Sequence, residues 1–148
     1  GMVPRVCLGF LVCAVADRTL HDAVENNDVH SISRMLNASS DDAAQRMLAA
    51  VDENDLMPIH LAAYHGHVAA TAALVKGGAP LDARCGHASM TAMHWSTGQG
   101  HQDVLQLMLD AGANVDALDG GGRTSLHYAA SRGNLDALSA LVKAGGSL

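Results

Sequence analysis

Aromatic residues are nearly missing from this chain: one Trp, two Tyr and one Phe stand among 148 residues. With so few rings, the position of each one is informative. Basic residues are also scarce, nine Lys and Arg against fifteen Asp and Glu, for a net charge of −6. They form no cluster, which argues against nucleic-acid binding, because displacing counterions from phosphates takes concentrated Lys and Arg. Cys7, Cys13 and Cys85 are an odd number without metal-type spacing. A reducing compartment is the simpler reading, and a cytoplasmic location is expected. No apolar run reaches the roughly 20 residues that cross a bilayer, so direct membrane insertion is not expected. Catalytic grammar is missing too. There is no G-x-S-x-G, no H-E-x-x-H, no phosphate-binding glycine loop and no C-x-x-C, and neither an enzymatic activity nor a cofactor is expected.

What the chain has is one phrase written repeatedly. Met90-Thr91-Ala92-Met93-His94-Trp95-Ser96-Thr97-Gly98-Gln99-Gly100-His101 is echoed upstream by Met57-Pro58-Ile59-His60-Leu61-Ala62-Ala63-Tyr64-His65-Gly66-His67. Downstream it returns as Thr124-Ser125-Leu126-His127-Tyr128-Ala129-Ala130-Ser131-Arg132-Gly133-Asn134. His60, His94 and His127 are spaced about 33 residues apart, as are Gly66, Gly100 and Gly133. A degenerate copy starts at Thr19-Leu20-His21-Asp22-Ala23. A period of this length with a T-P-L-H-x-A core resembles the ankyrin repeat, from about residue 17 to the end. The resemblance implies an all-α solenoid of helix-turn-helix units joined by hairpin fingers, each unit touching only its neighbours.

The expected division is a degenerate first repeat with an extra helix over 17–56, then repeats over 57–89, 90–122 and 123–148. The extra helix is signalled by the N-cap candidates Ser39, Ser40, Asp41 and Asp42, followed by Ala43, Ala44, Met47, Leu48 and Val51 at helical spacing. First helices should start at Pro58, Thr91 and Thr124 and end at the three loop glycines. Second helices are expected near 68–76, 102–110 and 135–143. The finger at Arg84–Met90 is one residue longer than its counterpart after Asp116. Residues 1–16 are apolar and read as an N-terminal cap on the stack, with a secretory signal ending at Ala14-Val15-Ala16 as the alternative. At the other end Leu138, Leu141 and Val142 look uncovered. Either a longer protein continues there, or another chain covers that end by oligomerisation.

Nine histidines invite a metal hypothesis, above all His60, His65 and His67. Zinc needs three or four convergent ligands, and no metal site is expected. His60, His94 and His127 fall on the repeat's own histidine, which by the resemblance ties adjacent units together. The stronger candidate is a protein-binding surface. Leu61, Trp95 and Tyr128 each follow the motif histidine, so register should line them up on successive first helices. Tyr64, His65, Gln99 and Arg132 lie about a turn later on the same face. Trp, Tyr and Arg are enriched at binding hot spots. The reading against it is that Trp95 and Tyr128 simply cover the small residues between repeats. The enlarged finger, with Arg84 and His87, is a second candidate surface, against the reading of a harmless insertion. Cys85 on that finger reads as an exposed thiol with nothing nearby to make it reactive.

Thr91 to His101, with the longer finger before it, resembles the ankyrin portion of DHHC-type protein palmitoyltransferases. Thr124 to Leu135 fits the same group, with Tyr128 where Trp is frequent. That resemblance implies a stack that recruits substrates through short linear motifs, with Trp95 helping to form the peptide pocket. The Asp-His-His-Cys motif and the membrane spans of that family are not in this sequence. The expected function is therefore a non-catalytic module binding a protein or short peptide on its concave face and fingers. The alternative is the substrate-recruiting part of a membrane acyltransferase, on the cytosolic side.

Overall fold

Each repeat is punctuated by residues whose backbone chemistry fixes where helices start and stop. In the computed structural model, which describes residues 20–146, residues 20–25 form the end of helix α1. It is followed by α2 (Val29–Ala38), α3 (Asp41–Ala49), α4 (Pro58–His65) and α5 (Val68–Lys76). The remainder is α6 (Ala92–Gln99), α7 (Gln102–Asp110), α8 (Ser125–Arg132) and α9 (Leu135–Lys143). Among the described residues there is no β-strand beyond one isolated bridge, Cys85 to Met90. The three second helices lie where the sequence places them. So does the extra helix α3, whose N-cap Ser40 accepts from the Ala43 N–H. The expected N-terminal cap over 1–16 lies outside the described residues.

Pro58 opens α4 at a position where its missing N–H removes nothing. Thr91 caps α6, its hydroxyl accepting from the His94 N–H while the His94 ring reaches back to the Thr91 N–H. Gly66, Gly100 and Gly133 close α4, α6 and α8 in the left-handed conformation. Gly66 has a second constraint, because a Cβ there would strike the His101 ring.

α4, α6 and α8 pack in one row, and α2, α5, α7 and α9 in another, while α3 bridges α2 and α4. The core between the rows is aliphatic and Met-rich: Ile59, Leu74, Met93, Leu105, Met108, Leu126 and Leu141 are fully or almost fully buried. Ala62, Ala63, Ser96 and Thr97 are buried as well, and their small side chains let the helices approach closely. Two histidine ladders join the repeats. His21, His60 and His94 point their Nε2 atoms forward to the carbonyls of Leu56, Ala83 and Arg123. His67 and His101 reach backward to the carbonyls of Glu25 and Tyr64.

The fingers share a plan. The first and third turn through one left-handed residue, Asp55 and Gly122, and the enlarged one through two, Gly86 and Ser89. Each is also hydrogen-bonded to the next: the Gly86 N–H donates to the Asp55 carbonyl at 2.9 Å, and the Gly120 N–H to the Ala88 carbonyl at 2.8 Å. In the last repeat the sequence expectation needs correction. Leu141 is fully buried under its own repeat, Leu138 is half-buried, and only Val142 of the three is largely exposed. His127 is exposed as well, where His60 and His94 are buried.

Candidate functional site

A groove of about 490 Å³ lies between the first helices and the fingers. Leu61 and Tyr64 come from α4, Trp95 from α6, Leu56 and Asn54 from the first finger, and His87 from the enlarged one. Glu25 closes the end at α1, and His65 stands beside Tyr64. The Tyr64 and Trp95 rings meet edge to face, with centroids 5.5 Å apart and planes at 80°. Tyr64 is 41% exposed, a large fraction for a Tyr on a helix face. Its other edge meets His65 at 5.1 Å, and His65 stacks on His67. The Trp95 indole N–H is buried without a hydrogen-bond partner.

The extra residue of the enlarged finger shapes this groove. Cys85 and Met90 exchange both backbone hydrogen bonds at 3.0 Å, and four residues loop between them. The third finger has three residues between Asp119 and Arg123. The longer loop puts Gly86, His87 and Ala88 along the groove wall. Gly86, in the left-handed region, lets the loop lie close: a Cβ there would touch Leu56 and reach toward Trp95.

Of the residues singled out from the sequence, Leu61, Tyr64, His65, His87 and Trp95 share this groove. Gln99, Tyr128, Arg132 and Arg84 do not line it. Leu61 is buried and presents little more than an edge, whereas Gln99 and Arg132 are exposed farther along the same row of helices. Arg84 donates from Nε to the Ser89 carbonyl of its own finger. Cys85 is buried, not exposed as expected, and burial pushes its thiol pKa up. It occupies the finger position that Asp52 and Asp119 hold in the other two fingers, beneath the turn.

Tyr128 departs most from the expected trough. Its hydroxyl donates to Asp119 Oδ2 at 2.6 Å, and its ring stands edge to face on His94. Asp119 is a hub that the sequence analysis did not single out. Its Oδ1 accepts from the N–H groups of Gly121 and Arg123, and its Oδ2 from Arg123 Nε at 3.1 Å. Burial works against the charged form. The Tyr128 hydroxyl, the two N–H groups and the Arg123 guanidinium outweigh it and hold the carboxyl down to about 2. The available signal was spacing, since Asp52 sits at the same place in its finger and accepts from the Asn54 and Leu56 N–H groups. Glu25 was legible too: it follows His21 by four residues, as Tyr64 follows His60.

Stacked helix pairs, fingers in register and a shared histidine ladder fit one repeat architecture, and the family comparison agrees. The ankyrin-repeat model matches residues 54–86, and a second model, of many-copy ankyrin repeats, matches 92–142. Together they cover more than half of the chain.

The chain belongs to the ankyrin-repeat family.

Ankyrin stacks are protein-interaction modules, and the matched models lie over helices and fingers alone. Over 128 aligned residues the chain is also 27% identical to the Palmitoyltransferase AKR1 of Debaryomyces hansenii. That alignment takes in 78% of this ankyrin chain but only 16% of the yeast protein. Among the described residues no helix is long and apolar enough to cross a membrane, and no group of three or more His, Cys, Asp or Glu could hold a metal ion.

Proposed function

We propose that this ankyrin stack binds a short segment of a protein partner in the groove between α4, α6 and the first two fingers. The observation that supports it is the Tyr64–Trp95 pair, two of the few rings in the chain, set at right angles on an apolar wall and half open to solvent. A packing role alone does not call for a Tyr 41% exposed at the mouth of a cavity. Aromatic walls of this kind are where a few residues supply most of the binding energy. Gln99 and Arg132 extend the same face, and Arg84 and His87 line the enlarged finger, so both would meet the flanks of a longer ligand.

The test is affinity for a peptide selected on the intact chain. Tyr64→Ala and Trp95→Ala should each weaken binding by about 2 kcal/mol. Tyr128→Phe should leave it unchanged, because Tyr128 serves the third finger. Equal affinity across all four proteins would remove the groove from consideration.

A second reading is favoured by the similarity to the yeast palmitoyltransferase: the stack recruits substrates for a membrane acyltransferase of which this chain is one part. The gene that encodes it would then also encode apolar spans of about 20 residues and an Asp-His-His-Cys motif. A gene with neither sinks this reading and leaves the groove untouched.

A further inference from the structure

The groove is largely apolar, yet a carboxylate side chain stands among the described residues that line it. Among the described residues lining it, Glu25 is the only Asp or Glu, and no Lys or Arg joins it. Its backbone carbonyl is fixed by His67 Nε2 at 3.0 Å, which anchors the residue at the end of α1. Its carboxylate is exposed, with no ion pair among the described residues. The adjoining finger reinforces the sign. Asn54 lines the groove, and its neighbours Glu53 and Asp55 are exposed on the same turn. The two arginines on the other fingers are engaged elsewhere, Arg84 with Ser89 and Arg123 with Asp119. A carboxylate at the mouth of a low-dielectric cleft, with two more on the adjoining finger, concentrates a negative potential there.

We infer that the segment bound in this groove carries a Lys or Arg whose cationic head meets Glu25 while its stem and a neighbouring apolar side chain lie against Tyr64 and Trp95. This rests on the groove being the binding surface. The match is chemical at both ends. A Lys or Arg stem is apolar and covers aromatic surface while its head stays in a polar setting. Ring faces attract the same cation, and the perpendicular Tyr64 and Trp95 rings form a corner for such a side chain. An acidic segment would bring like charges together in the cleft and is excluded.

The experiment uses a display library of random peptides selected against the full chain, against Glu25→Gln and against Tyr64→Ala. Peptides recovered on the wild-type chain should carry Lys or Arg at a fixed spacing from an apolar residue. Those recovered on Glu25→Gln should keep the apolar residue and lose the basic one. A wild-type peptide should bind Glu25→Gln about tenfold more weakly, and the difference should shrink as salt rises past the Debye screening regime. Peptides that require Tyr64 but show no basic preference, or that bind Glu25→Gln equally well, overturn the inference while leaving the groove in place. Recovery of no peptides, or of peptides indifferent to Tyr64→Ala, overturns the groove and the inference together. Glu25 is exposed, so its amide variant tests recognition without a folding defect.

Discussion

His60 shows how one departure from a repeated phrase leaves an uncompensated atom. In the third repeat the His94 Nε2 donates to the Arg123 carbonyl, which fixes the proton there and leaves Nδ1 to accept. Nδ1 then receives the Thr91 N–H at 3.1 Å and faces the Thr91 hydroxyl at 2.7 Å. The second repeat has Met57 where Thr91 stands, and His60 Nδ1 is buried without a partner. An unsatisfied buried acceptor is costly, and Met also leaves α4 without a side-chain cap. Met57→Thr should therefore stabilise the fold by about 1 kcal/mol, read as a higher denaturant midpoint at unchanged slope. A lower midpoint would mean that the packing of Met57 against the core outweighs both gains.

The third finger behaves as an element because one side chain holds both of its ends. Asp119 gathers two backbone N–H groups, a guanidinium and a phenol, and Arg123 also lies over the Tyr128 ring at 5.2 Å. Asp119→Ala would leave those donors to water or to nothing, and should cost about 2 to 3 kcal/mol. Tyr128→Phe, which removes only one of the bonds, should cost about 1 kcal/mol. Thermal unfolding of the two variants checks the order, and a Phe variant as damaged as the Ala one would place the weight on the phenol instead. The enlarged finger lacks this hub. Cys85 replaces the carboxylate, and a longer loop closed by the Cys85–Met90 pair takes its place. That exchange gives up a tight turn and puts His87 on the groove.

Across the molecule, the histidine ladder makes the stack sensitive to acid. Burial lowers the pKa of both His60 and His94 below the ordinary 6.5, even though their hydrogen bonds to finger carbonyls work the other way. A histidine with a depressed folded pKa is neutral in the fold while the unfolded chain takes up a proton. The unfolded state then binds more protons below pH 6.5, and stability falls as pH falls. Asp119 acts in a lower window. Its stabilisation is complete above the ordinary 3.8 and is lost as pH falls toward about 2. Urea midpoints should drop between about pH 7.5 and 5.5, and drop again below about pH 4. In Asp119→Asn the second drop should be smaller, and the first somewhat larger, because the Asp119 charge favours protonated His94. A midpoint flat from neutral to mildly acid pH would mean that the two imidazoles do not titrate out of line with the unfolded chain.

Periodicity by itself determined the repeat, the helix ends and the row of second helices, because those follow from local chemistry: a Pro or Thr to start, a left-handed Gly to stop, apolar residues at helical spacing between. It also located α3, since caps and apolar spacing are both local signals. Three-dimensional packing decided which aligned positions do the same thing. Register puts Leu61, Trp95 and Tyr128 in one column, yet Leu61 is buried, Trp95 lines the cleft and Tyr128 is taken by Asp119. The physical reason is that a finger's length and its central side chain vary where the helices do not: Asp119 of the third finger takes Tyr128, while the enlarged finger, with Cys85 at that place, leaves Trp95 on the cleft. Glu25 joined the groove for a related cause: equivalent positions in adjacent repeats become neighbours only once the helices stack.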